Sequence, residues 1–350
     1  MLKLFFSVMG VAIEDIIPKQ EIELASLRGK KVAVDAYNAL YQFLSIIRQP
    51  DGTPLMDSAG RITSHLSGLF YRNAKLLEEG ILPAYVFDGR PSELKAETVA
   101  ERKETRKKAR EEWEAAVEKG DFETARKRAQ AAVSLDEHVL NSSIRLLHAM
   151  GIPVVQSPEE GEAQASFMAE KEDVYCVASQ DYDCLLFGAP VLVRNINLTG
   201  RRKLPGKKVY VTIHPEIIIL ENVLSKNQIT REQLVEIGIL IGTDYNQGIK
   251  GIGPKKALAL VKQGKKAEEV YKDKGISPEV DLEQVREVFL KPNVTKRYSL
   301  EWKDPDPKKI KKILVEEHDF SEERIEKTLN LLQEKSATAR EQSSITRWFS

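Results

Sequence analysis

Three short apolar runs in this chain each lead into an aspartate, and that pattern restricts the fold more than any other feature. Lys31 to Ala36 (KVAVDA), introduced by Gly29, reads as a buried strand that delivers Asp35. Ala84 to Asp88 (AYVFD) follows Pro83 and gives way to Gly89. Val174 to Asp181 repeats the design, with five residues from Val174 to Ala178 forming the apolar part. Tyr37 to Arg48 carries a helical pattern after the first run, and Leu140 to Met150 is amphipathic with Ile144 and Leu147 on one side. Strands alternating with helices predict an α/β fold, a doubly wound and mostly parallel central sheet flanked by helices. Parallel strands present their carboxyl ends along one edge, so the three aspartates are expected in one site.

The stretch from Pro158 to Phe187 concentrates the same chemistry. Glu160 and Glu162 follow Ser157-Pro158, where a helix should begin. Residues two apart diverge inside a helix, so these two converge only if the first is still non-helical. Asp181 and Asp183 share a side if the chain remains extended there. One such acid would be an ordinary turn or helix-dipole residue; their recurrence carries the reading. Carboxylates gathered this closely repel and raise one another's pKa unless a cation lies among them. Oxygen ligands without nearby Cys or His pairs favour Mg²⁺ or Mn²⁺ over zinc.

Lys plus Arg and Asp plus Glu are each 53, a balance that argues neither for nor against nucleic acid, because metal-binding acids mask a basic surface elsewhere. The two cysteines, Cys176 and Cys184, have neither zinc spacing nor a disulfide framework, which fits a reducing, cytoplasmic location. MLKLFFSV at the start lacks a long apolar region and cleavage site, and no run approaches the ~20 apolar residues of a membrane span.

Further strands are expected at Ile152 to Gln156, Val191 to Ile196 and Lys208 to Ile213, with TGRRKLPGK as a loop before the last. From Gly89 to Asp136 the chain is charged and rich in helix formers, and Asp121 after Gly120 can cap a second helix. The first helix there has little to bury and presents Lys95, Arg102, Lys103, Arg106, Lys107 and Lys108, a basic face suited to phosphates. Arg231 to Gly242 is an apolar helix followed directly by Asp244. GIKGIGPKKA, Gly248 to Ala257, then reads as a hairpin between two helices. Gly251 and Gly253 let the backbone approach a phosphate, with Lys255 and Lys256 alongside. Asp304 to Lys312 is a Pro- and Lys-rich connector, and Ser321 to Gln333 a capped amphipathic helix. The tail from Lys335 is polar but ends in QSSITRWFS, where Gln342, Ile345, Trp348 and Phe349 form an anchor set awaiting a partner's pocket.

Taken together, KVAVDAYNALYQFL, TSHLSGLFYR, YVFDG, EEGEAQA, SQDYDCLLFG, GTDYNQGIKGIGPKKA, FSEERI and QSSITRWF resemble the archaeal flap endonucleases, of the structure-specific 5′ nuclease superfamily, from about Met9 to the end. The resemblance implies a PIN-like nuclease domain over 9–334, with a helical arch at about 89–136, a helix-hairpin-helix region at about 231–265 and a tail over 335–350. It places Asp35, Asp88, Glu160, Glu162, Asp181, Asp183 and Asp244 on the family's metal ligands, for two Mg²⁺ that Mn²⁺ replaces. Lys95 and Arg102 fall on arch residues that engage the scissile phosphate. Tyr41 falls on an aromatic that stacks near the cut, with Arg48 and Arg72 as further DNA contacts, and Thr63 and Arg324 on a pocket for a one-nucleotide 3′ flap. Carbonyls around Gly248, Ile249 and Ile252 correspond to a K⁺ site, and the tail to a motif that binds the sliding clamp (PCNA). The implied protein is a monomer acting on branched DNA with a 5′ flap, in Okazaki fragment maturation and repair. The family start, Met-Gly, corresponds to Met9-Gly10, and His318 stands where lysine is frequent. An exonuclease or Holliday-junction relative, a noncatalytic junction scaffold and a PIN-like RNase are the competing readings. The clamp motif immediately after a short chain, the full set of acids and the duplex hairpin weigh against them in turn.

Overall fold

The computed structural model describes residues 10–49, 52–95, 133–197, 200–203 and 210–334, with 104–105, 107–113, 115–116, 121, 124 and 128 of the intervening stretch. Its main sheet has seven strands: β1 (Gln20–Glu21), β2 (Lys31–Asp35), β3 (Leu82–Phe87), β4 (Val154–Gln156), β5 (Cys176–Ala178), β6 (Val191–Arg194) and one numbered last, Glu216–Ile219. A separate two-stranded ribbon pairs β7 (Gly200–Lys203) with β8 (Tyr210–Ile213), so Glu216–Ile219 is β9. The order in the main sheet is β1-β9-β6-β5-β2-β3-β4. Pairings among β2 to β6 are parallel, and β9 joins β6 and β1 antiparallel. From β2 the chain steps outward through β3 and β4, then returns to lay β5 on the other side of β2. The crevice between β2 and β5 is thus a switch point, where open α/β sheets place their ligands.

The helices used below are α1 (Ala36–Ile46), α2 (Ser64–Glu78), α3 (Glu137–Ala149), α4 (Gly161–Glu170), α5 (Asp183–Leu186), α6 (Leu220–Asn227), α7 (Arg231–Ile241), α8 (Pro254–Lys262), α9 (Ala267–Asp273), α10 (Leu282–Leu290) and α11 (Pro307–Lys311). Strand alternation divides the core in two. Ala33, Val86 and Val177 pack with α4 and α7 residues such as Met168 and Ile237. Val32, Val34, Tyr85 and Phe87 face Leu40, Leu69 and Leu146 of α1, α2 and α3. Both faces are apolar, as a helix-covered parallel sheet requires.

Several elements depart from the sequence reading. The expected loop TGRRKLPGK contributes β7, whose Arg201, Arg202 and Lys203 lie opposite Thr212, Val211 and Tyr210. A ribbon outside the main sheet need not alternate apolar and polar residues, so its sequence reads as loop. EIII at Glu216–Ile219 forms an edge-side strand, although the chain after His214 is otherwise helical as expected. The connector at 304–312 holds α11, started by Asp306, whose carboxylate accepts from Lys309 N at 3.1 Å, and by Pro307 at the first turn. A π turn, Lys312–Glu316, continues it. Asp121 accepts the Thr124 N–H at 3.1 Å, and the helix it was expected to cap lies largely outside the described residues.

Candidate metal centre

Local structure aims each acid at the β2/β5 crevice. Asp35 ends β2 and caps α1, accepting the Asn38 N–H at 3.0 Å. Asp88 follows β3 and accepts the Gly161 N–H at 2.7 Å. That bond needs glycine, since a Cβ on Gly161 would stand 2.7 Å from the Asp88 carboxylate. Glu160 is the extended residue before α4 and Glu162 lies in its first turn, the half-in, half-out arrangement that spacing predicted. Asp181 and Asp183 come together by another route than strand alternation. β5 ends at Ala178, Tyr182 is already helical, and Asp183 opens α5, so a tight turn brings them to one side. Asp244 follows α7 in a turn closed by the bridge between Thr243 and Asn246.

The seven form one site. One carboxylate oxygen each from Glu162, Asp181 and Asp183 lie within 4.8 Å of one another. Ser179 joins Asp35 to them, its hydroxyl 3.1 Å from Asp35 Oδ2 and 2.9 Å from Glu162 Oε1. Lys95 gathers the outer acids, its ammonium 2.6 Å from Glu160 and 3.3 Å from Asp244, over the Tyr245 ring at 5.0 Å. Burial pulls that ammonium's pKa down, but Tyr245, Glu160 and Asp244 outweigh it and hold it well above the usual lysine range. Asp181 Oδ1 is buried with no hydrogen-bond partner among the described residues.

Such crowding disfavours negative charge. Burial, then the Asp35 and Glu160 carboxylates, push Asp88 up to about 8. Burial, then Asp244, push Asp183 up to about 7. Burial also raises Asp35, and with Asp181 drives Glu162 well above its ordinary range; Asp181 shifts the same way through burial and Asp183. An all-oxygen donor set, an orphaned buried carboxylate oxygen and a lysine drawn in as counter-charge fit a hard divalent cation.

Two residues at this site escaped the sequence reading. Gly10, at φ +74°, lies so close to Asp181 that a Cβ would stand 1.3 Å from Oδ1, and the next N–H, from Val11, donates to Asp183 Oδ1 at 2.8 Å. No local pattern signals a contact across that much chain. Ser179 was legible in principle, as the Ser-x-Asp of a turn whose hydroxyl accepts the Asp181 N–H at 3.1 Å.

The DNA-contact candidates differ in exposure. Arg102, Lys103 and Arg106 lie outside the described residues, as do Gln342, Ile345, Trp348 and Phe349; Lys107 and Lys108 are exposed. Tyr41 is half-buried against the α1/α2 side of the core. Arg48 donates to Gly52 O at 2.8 Å, and burial lowers its guanidinium to about 10. Arg72 is half-buried, Arg324 exposed, and Thr63 buried at the start of α2. His318 is buried too, its Nδ1 2.8 Å from Asp57 Oδ2, so it faces a protein carboxylate. In the hairpin, Ile249 N donates to Leu240 O at 2.9 Å, Ile249 O accepts from Ile252 N at 3.0 Å, and Gly248 packs on the Ile241–Gly242 backbone at φ +70°. Lys255 and Lys256 are exposed, and a Cβ on Gly251 or Gly253 would meet nothing, leaving open space before α8.

Comparison with known proteins agrees with this geometry. Residues 9–109 match the XPG N-terminal domain and residues 151–244 the XPG I-region. Flap endonuclease 1 of Thermococcus onnurineus is 56% identical over 342 residues, 97% of this chain and 99% of that protein. The solved flap endonuclease-1 of Methanococcus jannaschii superposes with a TM-score of 0.75 at 44% identity, covering 94% of this chain and 100% of that one. The catalytic core of Rad2 in complex with DNA substrate shares the fold, with a TM-score of 0.66 at 24% identity over 91% of this chain and 97% of that one.

Proposed function

The chain belongs to the flap endonuclease family, and on that premise we propose that it hydrolyses DNA 5′ flaps near the single-strand/duplex junction, with 5′-3′ exonuclease action at the same site. The observation that carries this reading is the meeting of Glu162, Asp181 and Asp183 within 4.8 Å of one another, with Asp181 Oδ1 buried and unpartnered among the described residues and Asp35, Glu160 and Asp244 tied in through Ser179 and Lys95. Asp35, Asp88, Glu160 and Glu162 would hold one Mg²⁺, and Asp181, Asp183 and Asp244 help hold a second; Mn²⁺ substitutes in both. When bound, the two ions supply Lewis-acid neutralisation of the phosphodiester, whose negative charge otherwise repels an attacking nucleophile.

The chain's own residues then orient and complement. Lys95 lies at the rim of the acid cluster with its ammonium already desolvated. A phosphate that replaces Glu160 and Asp244 as its partner gains positive charge where negative charge builds during cleavage. Arg102 adds a second positive group from the arch. Cleavage leaves a 5′-phosphate and a 3′-hydroxyl. The open face at Gly251 and Gly253, with Lys255 and Lys256, suits a duplex backbone gripped without base reading. A K⁺ held by carbonyls around Gly248, Ile249 and Ile252 would strengthen that grip. Tyr41, Arg48, Thr63, Arg72 and Arg324 complete the DNA contacts, with Arg324 the most exposed of them. The tail engages the sliding clamp (PCNA) through Gln342, Ile345, Trp348 and Phe349, and the monomer works with the nucleoid in the cytoplasm. Among the described residues no helix is long and apolar enough to cross a membrane.

The test is Mg²⁺-dependent cleavage of a 5′-flap DNA beside a blunt duplex, for the wild type and Asp181→Asn. The wild type should cut the flap far faster, and the variant should bind it without cutting. Full activity in Asp181→Asn would remove that residue from the metal site.

A further inference from the structure

Ser179 occupies a place at the metal centre that no carboxylate can fill. It is buried, and its hydroxyl lies within hydrogen-bonding distance of three elements at once: Asp35 Oδ2 at 3.1 Å, Glu162 Oε1 at 2.9 Å and the Asp181 N–H at 3.1 Å. Asp35 ends β2, Glu162 belongs to α4 and Asp181 lies in the turn after β5. Asp35 and Glu162 arrive from separate elements and meet each other directly as well as through this hydroxyl, so their mutual placement depends on the contacts made where they meet. A lysine there would hold them together but would compete with a metal for the same charge, as Lys95 does on the outer side. A hydroxyl is neutral and has one proton to give, so Ser179 accepts the Asp181 N–H and donates to one of Asp35 and Glu162 at a time, keeping both close without adding charge.

A neighbouring buried amide supports the same turn. Asn38 Oδ1 accepts the Gln180 N–H at 3.3 Å and the Gln42 amide at 2.5 Å, so the residue between Ser179 and Asp181 is held to α1. The turn itself therefore keeps a tie when the serine hydroxyl is removed, and the effect of that removal falls on the carboxylates.

We propose that Ser179 is a positioning residue for cleavage: its hydroxyl takes the Asp181 N–H and supplies a donor to the Asp35/Glu162 pair, so that the three acids meet a divalent cation in the right geometry. The inference rests on the reading of these acids as metal ligands. Groups that orient metal ligands change metal affinity by roughly 10–100-fold when lost.

The experiment uses the full chain without DNA, titrated with Mn²⁺ and followed by the electron paramagnetic resonance signal of the free ion, and then the rate of flap cleavage across the same Mn²⁺ range. Ser179→Ala and Ser179→Cys are compared with Ser179→Thr and with Asp181→Asn, and melting in chelator reports whether each folds. The thiol is close in size to the hydroxyl but a weak donor, so Cys separates hydrogen bonding from packing. Ala and Cys should each raise the half-saturating Mn²⁺ concentration about tenfold, with cleavage recovering as Mn²⁺ rises, and Thr should restore wild-type binding. If either variant binds Mn²⁺ as the wild type does, or loses cleavage equally at every Mn²⁺ concentration, the positioning role is wrong. If Asp181→Asn also binds Mn²⁺ unchanged, the metal reading itself fails, which distinguishes the two.

Discussion

Raising the pH from 6.5 to 8 in the presence of chelator should lower the melting temperature of this protein, and Mn²⁺ should abolish the decline. Asp88 is held at about 8 and Asp183 at about 7 in the folded chain without a cation, against about 3.9 for an unfolded aspartate. Each folded-state pKa lies above its unfolded value, so between the two the folded state binds more protons. Its stability advantage is complete below the unfolded value and is lost as pH rises through the folded one. At about 1.4 kcal/mol per pH unit per group, Asp88 loses at most roughly 2 kcal/mol over this window, and Asp183 somewhat under 1 because its titration is nearly complete. The total, between about 2 and 2.5 kcal/mol, corresponds to roughly 3 °C for a chain of this size. Starting at 6.5 isolates the carboxylates. Burial and the neighbouring His138 and His318 depress His65 to about 3, so its penalty grows as pH falls below the unfolded histidine value, and above 6.5 it leaves only about 0.4 kcal/mol of the opposite sign. Differential scanning calorimetry in EDTA and in saturating Mn²⁺ measures both curves. A melting temperature that is flat or rises with pH in EDTA would refute the crowding on which the argument depends.

Two further outcomes follow from particular contacts. Gly10→Ala places a methyl group where Asp181 Oδ1 now sits; Mn²⁺ binding should weaken by about tenfold or more, and an isothermal titration equal to the wild type would show that the Gly10 contact does not hold Asp181. Phe349→Ala should weaken binding to the sliding clamp while clamp-free flap cleavage stays the same, and surface plasmon resonance on immobilised clamp with unchanged affinity would count against the tail motif.

What the sequence made legible has a common physical basis. Asp35 and Asp88 could be placed because each follows an apolar strand whose pattern is local, and Glu160 because Ser157-Pro158 marks a helix start. Asp244 was placed by the apolar helix before it. The contacts that were missed are long-range. The approach of Gly10 to Asp181, the bonds of Ser179 to Asp35 and Glu162 and the clasp of Lys95 between Glu160 and Asp244 join residues distant in the chain. Nothing in the spacing of either partner announces the other. Asp181 and Asp183 were grouped correctly but by the wrong geometry, because alternation along a strand and a turn entering α5 both bring residues two apart to one side. β7 was missed for another reason: its arginines and lysine lie in a ribbon apart from the main sheet, so no core imposes a period on them.

The most direct test is anomalous diffraction at the manganese edge from crystals soaked in Mn²⁺. Two peaks are expected, one near Asp35, Asp88, Glu160 and Glu162 and one near Asp181, Asp183 and Asp244, with the Lys95 ammonium displaced from Glu160. No anomalous density between those carboxylates at saturating Mn²⁺ would contradict the two-metal reading.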